Sequence, residues 1–232
     1  MIAPSGKPGS TKVTYLGHAS FLFEHGGGTI VADPVFSDRI GGMFTRRTVP
    51  SRFRPEDLAG VVGVLISHGH HDHLDYRSLK RVTRSNPILV PWGISGSLRL
   101  RGFTDVRVIR PWEEMVLGGW RVTAVPSRHF GGRLPLVYTS GHLGYVLSGV
   151  SSIYFAGDTG LNEEMFRAIG QKFRLALAIL RGGRPRMASG GMFSAVKHKG
   201  AGPLQTQRHP SGGKRRGPSC PMKALVIADC SS

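Results

Sequence analysis

Apolar positions along this chain come in short runs divided by glycine, proline and small polar residues. The runs Val13 to Phe23 and Thr29 to Ala32 predict a hairpin that turns across His25-Gly26-Gly27-Gly28. Val61 to Ser67 predicts a buried strand. Further strands are predicted at Ile88 to Val90, Val106 to Ile109, Trp120 to Val125, His142 to Leu147, Ser152 to Phe155 and Leu175 to Leu180. Three stretches read as helices: Leu74 to Arg84, with Leu74, Leu79 and Val82 inward, then Ile94 to Arg101, and Asn162 to Lys172. Strands mixed with helices in this way suit two sheets with helices outside, an α/β fold.

The pattern stops near residue 180. Arg181 to Ser219 is Gly, Pro, Ser, Lys and Arg with almost no periodic apolar positions, and only Ala224 to Ala228 could form a strand. The chain therefore divides into a flexible N-terminus (residues 1–10), one folded domain (11–180) and an atypical basic tail (181–232). Met1 to Ser10 is rich in Gly, Pro and Ser and lacks the apolar core of a secretory signal. The abrupt, acid-poor change at 181 motivates the hypothesis of a shifted reading frame. Translating the other two frames of the gene tests it, and the idea fails if neither restores ordered text. The alternative is a natural, disordered basic tail.

A length of 232 suits one medium domain with a real core. Apolar content of 40% and 33 glycines fit an α/β protein with many turns. No run of 18 apolar residues exists, so no transmembrane helix is expected. Only Cys220 and Cys230 occur, which argues against a disulfide framework and for a reducing, cytoplasmic setting. The net charge of +17 would ordinarily point to nucleic acid or an anionic membrane. Its distribution weakens that reading. Residues 1–180 carry 21 Lys/Arg and 13 Asp/Glu, whereas residues 181–232 carry 10 Lys/Arg and only Asp229. More than half of the excess sits in the last quarter, so nucleic acid is not the expected partner.

The densest chemistry is His68-Gly69-His70-His71-Asp72-His73, directly after the apolar run Val61 to Ile66. Four potential metal ligands fall within six residues. Imidazoles with a carboxylate suit a borderline ion such as zinc. Two later residues join them: His129, just after Trp120 to Val125, and Asp158, in Phe155-Ala156-Gly157-Asp158-Thr159-Gly160. Each follows an expected strand, which is how a rigid scaffold presents a site on its loops. Alone, His129 reads as an ordinary surface histidine and Asp158 as a helix cap. Arg46, Arg47, Arg52 and Arg54, with Phe44 and Phe53 interleaved, form a basic run that could meet phosphate or line a solvated loop equally well.

The His-x-His-x-Asp-His loop, the later single histidine and the Gly-Asp-Thr-Gly turn resemble the metallo-β-lactamase superfamily. Tyr15-Leu16-Gly17-His18-Ala19-Ser20, Ala32-Asp33-Pro34-Val35-Phe36, Ser67 to Asp75 and Ile153 to Gly160 resemble its branch of N-acyl phosphatidylethanolamine phospholipase D-like enzymes. That branch also holds ascorbate-phosphate lactonase-like hydrolases. The resemblance runs from about Thr11 to about Leu180. It implies a four-layer αββα sandwich, incomplete at its C-terminus. It implies two metal ions, expected as zinc, with manganese or iron as alternatives. His68, His70 and His129 would hold the first, Asp72 and His73 the second, and Asp158 would bridge them. The family's remaining second-site histidine has no counterpart here, and His198 and His209 stand in unrelated contexts.

The implied reaction is hydrolysis of a phosphodiester by a hydroxide shared between the metals, on a small-molecule or lipid-like anionic substrate. A lactone or other ester is the near alternative, a nuclease of the same fold the next, and an inactive remnant the last. Asp72 is expected to orient the attacking water as well as bind metal. His18 and Asp33 are expected to support catalysis by orienting ligand loops through hydrogen bonds rather than by binding metal. Arg128 and Arg133 flank His129, and either can bind an anionic group bidentately. His71 is expected not to be a ligand. Homo-oligomerisation stays open.

Overall fold

The computed structural model of the chain describes residues 10–26, 28–40, 45–46, 53–58, 60–129, 132–133, 138–180 and 204–207. In chain order the first strands are β1 (Thr11–Gly17), β2 (Ser20–His25), β3 (Gly28–Ala32), β4 (Arg39–Ile40), β5 (Thr45–Arg46), β6 (Gly63–Leu65), β7 (Ile88–Val90) and β8 (Val106–Val108). They are followed by β9 (Glu114–Leu117), β10 (Trp120–Pro126), β11 (Gly132–Arg133), β12 (Tyr138–Thr139), β13 (Leu143–Ser148), β14 (Ser152–Phe155), β15 (Leu175–Ile179) and β16 (Leu204–Gln207). The helices are α1 (Tyr76–Val82), α2 (Ser95–Arg99) and α3 (Glu163–Lys172).

Two sheets carry the fold. One has seven strands in the order β16-β1-β2-β3-β6-β7-β8, and the other five in the order β15-β14-β13-β10-β9. Successive strand residues point to opposite faces, and both faces of each sheet are covered. Phe21 and Phe23 of β2, Ile30 and Ala32 of β3, and Leu65 of β6 meet Trp120, Val122, Ala124, Tyr145, Leu147 and Phe155 between the sheets. The alternate residues Leu22, Val31 and Val64 face Leu79, Val82 and Leu98 of α1 and α2. On the far side, Val125, Val146 and Tyr154 face Met165 and Ile169 of α3. Three apolar layers between four layers of structure make the expected αββα sandwich.

Local signals explain the helix ends. Asp75 caps α1 by accepting from the Arg77 N–H, and Asn162 caps α3 by accepting from the Met165 N–H. Asp158 is therefore not the cap of α3. The expected single strand Val13 to Phe23 is instead two strands that fold back on each other, with Val13 opposite Phe23 and Tyr15 opposite Phe21. Gly17 (φ +108°) and His18 (φ +54°) make the turn, which apolar flanks on both sides conceal. β9 is missed because Glu114 and the exposed Val116 interrupt its apolar pattern. β16 pairs parallel with β1, Thr11 opposite Leu204, so the stretch that lacks periodic apolar positions still supplies one edge strand. The proposed strand Ala224 to Ala228, His198, His209, both cysteines, Arg47, Arg52, Phe44 and residues 1–9 lie outside the described residues. No described helix is long and apolar enough to cross a membrane.

Candidate metal centre

The site residues leave the ends of strands at one edge of the sandwich. β3 and β6 run parallel with Ala32 opposite Leu65, so Asp33 and Ser67 emerge side by side. The Ser67 N–H and hydroxyl donate to the two Asp33 oxygens at 2.7 and 2.6 Å. The Leu143 N–H donates to the Ser67 carbonyl at 2.9 Å, and the Tyr145 hydroxyl donates to the Ile66 carbonyl at 2.8 Å. Ser67 thus joins the two sheets behind the site, a role the sequence did not reveal. Gly157 lies against it: a Cβ there would fall 2.6 Å from the Ser67 Cβ.

His68 and His73 are both 1% exposed, and both lean on this base. His68 Nδ1 lies 2.9 Å from the Ser67 hydroxyl. His73 Nδ1 lies 2.7 Å from Asp33 Oδ2. The His73 and Leu74 N–H groups both donate to the His70 carbonyl, closing the loop into a turn that leaves His71 exposed. Asp33 is wholly buried and reaches the site through Ser67 and His73, the pairing that fixes a ligating histidine's tautomer.

The ligand atoms then gather in two adjoining groups. His68 Nε2 and His70 Nδ1 are 2.9 Å apart, and His70 Nδ1 and His129 Nε2 are 3.3 Å apart. Ligand nitrogens about 2.1 Å from a tetrahedral ion stand about 3.4 Å from one another, so this trio fits a shared cation. Asp158 spans both groups. Its Oδ2 is 3.8 Å from His129 Nε2, and its Oδ1 is 3.3 Å from His73 Nε2. Asp72 Oδ2 lies 3.8 Å from His73 Nε2. The trio His68, His70, His129 and the trio His68, His73, Asp158 each bring their ligand atoms within 4.8 Å of one another. Five of the six residues expected to bind metal thus gather in these two trios, and Asp72 stands outside both, beside His73.

The electrostatics separate the two buried histidines. Burial, then the neighbouring His73 and His70, push the His68 pKa down to about 2, which keeps its ring neutral. Burial alone would also lower His73, but Asp33, Asp158 and Asp72 outweigh it and push the ring up to about 10. Burial opposes ionisation of Asp72, yet His18 and His73 hold it well below the usual carboxylate range. The imidazole nitrogens that face one another across about 3 Å can share either a proton or a metal ion.

The surrounding residues sort as follows. The Arg128 backbone is locked to the Asp158 loop, its N–H donating to the Thr159 hydroxyl at 3.0 Å and its carbonyl accepting from the Gly160 N–H. Its side chain is exposed beside His129. Arg133 lies in β11, with its side chain outside the described residues. Arg46 and Arg54 are exposed, while Phe53 packs on the core. One neighbour went unnoticed in the sequence. His142 read only as the start of a strand, yet its ring lies 5.2 Å from His129 and 5.6 Å from His68. The pairing of Pro126 with Leu143 brings it there, and no local spacing could signal that. Burial, then His129 and His70, lower its pKa to about 4. Next to it, Trp92 is 55% exposed and its carbonyl accepts from the Gly141 N–H.

Residues 29–200 match the beta-lactamase superfamily domain. The chain is 34% identical over 182 residues to N-acyl-phosphatidylethanolamine-hydrolyzing phospholipase D 1 of Caenorhabditis elegans, covering 68% of this chain and 49% of that protein. It is 30% identical to a metal-dependent hydrolase of Thermoplasma acidophilum, covering 80% of this chain and 77% of the relative. The crystal structure of CmlA, a diiron beta-hydroxylase from Streptomyces venezuelae, superimposes with a TM-score of 0.54 at 27% identity, over 72% of this chain and 33% of CmlA. The chain thus spans about half of the worm enzyme and a third of CmlA.

Proposed function

The chain belongs to the beta-lactamase superfamily, and from that premise we propose a metal-dependent hydrolase of a small or lipid-like phosphodiester, working in the cytoplasm. The observation that carries this reading is the gathering of His68, His70, His129, His73 and Asp158 in two adjoining trios, with Asp158 reaching His129 and His73 and with Asp72 beside His73. The name of the worm relative supports the substrate class. His68, His70 and His129 would hold one ion and Asp72 and His73 the other, with Asp158 shared between them. A bound divalent ion supplies Lewis acidity and lowers the pKa of water in contact with it. The protein's own part is placement. Ser67 and Asp33 fix the rings of His68 and His73, and Arg128 offers a guanidinium to an anionic group at the mouth. Zinc suits the donor set, with iron, as in the diiron relative, and manganese as alternatives. Trp92, exposed beside Gly141 and His142, gives the mouth an uncharged wall and favours a lactone or ester as the second reading.

The test uses the full chain, stripped of metal and reloaded with zinc, manganese or iron. Bis(p-nitrophenyl) phosphate, a p-nitrophenyl ester, a lactone and RNA are offered in parallel. Phosphodiester turnover that falls to background in His70→Ala and His129→Ala is the expected result. Turnover confined to the ester and lactone would move the chain to the second reading, and turnover confined to RNA would make it a nuclease. Metal bound with no turnover of any of them would mark an inactive remnant.

A further inference from the structure

We infer that Ser67 is a positioning residue whose hydroxyl, committed to Asp33, holds His68 as the Nδ1–H tautomer and so leaves the His68 Nε2 lone pair facing the first metal position. This inference deepens the two-metal reading above, and its effect on zinc rests on that reading.

The assignment follows from where the protons must be. An ionised carboxylate only accepts hydrogen bonds, a serine hydroxyl carries one proton, and a neutral imidazole carries one N–H. Asp33 Oδ1 accepts the Ser67 N–H at 2.7 Å, and Oδ2 accepts the Ser67 hydroxyl at 2.6 Å. That bond takes the only proton on Oγ. His68 Nδ1 lies 2.9 Å from the same Oγ, so there the nitrogen donates and the oxygen accepts. The His68 proton is then on Nδ1, and Nε2 has none. Nε2 is the atom 2.9 Å from His70 Nδ1, in the trio with His129.

The reverse arrangement fails on the same distances. A hydroxyl turned toward His68 would leave Oγ and Asp33 Oδ2 2.6 Å apart with no proton between two acceptors. His73 does not supply it, since its Nδ1 is 2.7 Å from Oδ2 but 3.3 Å from Oγ. Asp33, Ser67 and His68 are 0%, 1% and 1% exposed, so little solvent screens that repulsion. Packing keeps the hydroxyl in place as well. A Cβ on Gly157 would fall 2.6 Å from the Ser67 Cβ and 3.0 Å from Oγ, and the Ser67 carbonyl accepts from the Leu143 N–H. One carboxylate thus orders His73 by direct contact and His68 through a single hydroxyl.

The test reads the tautomer before any metal is added. The full chain, 15N-labelled at histidine, is stripped with chelator, and long-range 1H–15N correlation at pH 8 shows which ring nitrogens carry protons. His68 is assigned among the ten histidines by the signals lost in His68→Gln. The wild type should show a protonated Nδ1 and a bare Nε2. A proton on Nε2, alone or together with one on Nδ1, overturns the inference, and this result needs no Ser67 variant to fold. Ser67→Ala should shift His68 towards the Nε2–H form and weaken the tightest zinc ion at least about tenfold, titrated against a chromophoric chelator. A serine that served only to join the sheets would lower the urea midpoint on replacement and leave the tautomer as in the wild type, and that result overturns the inference. A wild type with the expected tautomer but no bound zinc would overturn the two-metal reading and leave the tautomer assignment standing.

Discussion

Asp33→Asn isolates what holds the second metal position in shape. Asp33 Oδ1 accepts from the Ser67 N–H, and Oδ2 meets the Ser67 hydroxyl and His73 Nδ1 at 2.6 and 2.7 Å. Asparagine keeps the shape, and it also tolerates the backbone at φ +44°. It retains one acceptor but turns a donor toward Ser67 and His73. The magnitude follows from two routes. One charge-assisted buried hydrogen bond contributes about 1.5–3 kcal/mol. The rise of the His73 pKa from 6.5 to about 10, at about 1.4 kcal/mol per unit, corresponds to roughly 5 kcal/mol shared among Asp33, Asp158 and Asp72. Side-chain exposures of 1% and 0% leave little solvent screening to discount. We expect the metal-free variant to be less stable by about 2–4 kcal/mol at pH 6. The folded pKa of His73 is raised, so this stability is fully present below about 6.5 and is lost as pH rises through about 10. The gap should therefore narrow towards about 1 kcal/mol at pH 10. Urea unfolding in chelator at pH 6, 8 and 10 measures it. A gap under about 0.5 kcal/mol at pH 6, or one that widens with pH, refutes the reasoning.

Three further outcomes follow from the same frame. Gly157→Ala places a Cβ 2.6 Å from the Ser67 Cβ at a residue with φ +60°, so urea unfolding should show a loss of about 2–4 kcal/mol, and an unchanged midpoint would remove Ser67 as the junction. Tyr145→Phe leaves the Ile66 carbonyl without the hydroxyl that donates to it and should cost about 1–2 kcal/mol, read by chemical denaturation at constant zinc. Zinc at about a thousand times its Kd should add about 4 kcal/mol of stability, visible as a higher Tm that chelator reverses, and coincident melts with and without zinc would sink the metal reading.

What was legible in the sequence was whatever the chain writes contiguously or announces by a strand ending. His68, His70, Asp72 and His73 lie in one loop, so their spacing alone carried the chemistry. His129 and Asp158 were found because each follows an apolar run. The strand registers β3–β6 and β10–β13 carry the rest, and register is a property of two segments that no single segment states. Ser67 is an unremarkable serine until Asp33 is placed beside it. His142 is a strand residue until β13 pairs with β10. The fold of β1 onto β2 was hidden for a related reason, because Tyr15-Leu16-Gly17-His18-Ala19-Ser20 is apolar on both sides of its turn.

That hidden turn also places a residue of the site. The turn at Gly17 and His18 exists because β1 and β2 pair with Tyr15 opposite Phe21, so the sheet core that buries Phe21 and Phe23 also fixes where His18 Nε2 points. Its placement therefore follows from the pairing of β1 with β2, and β1 is flanked on its other side by β16 from beyond residue 180.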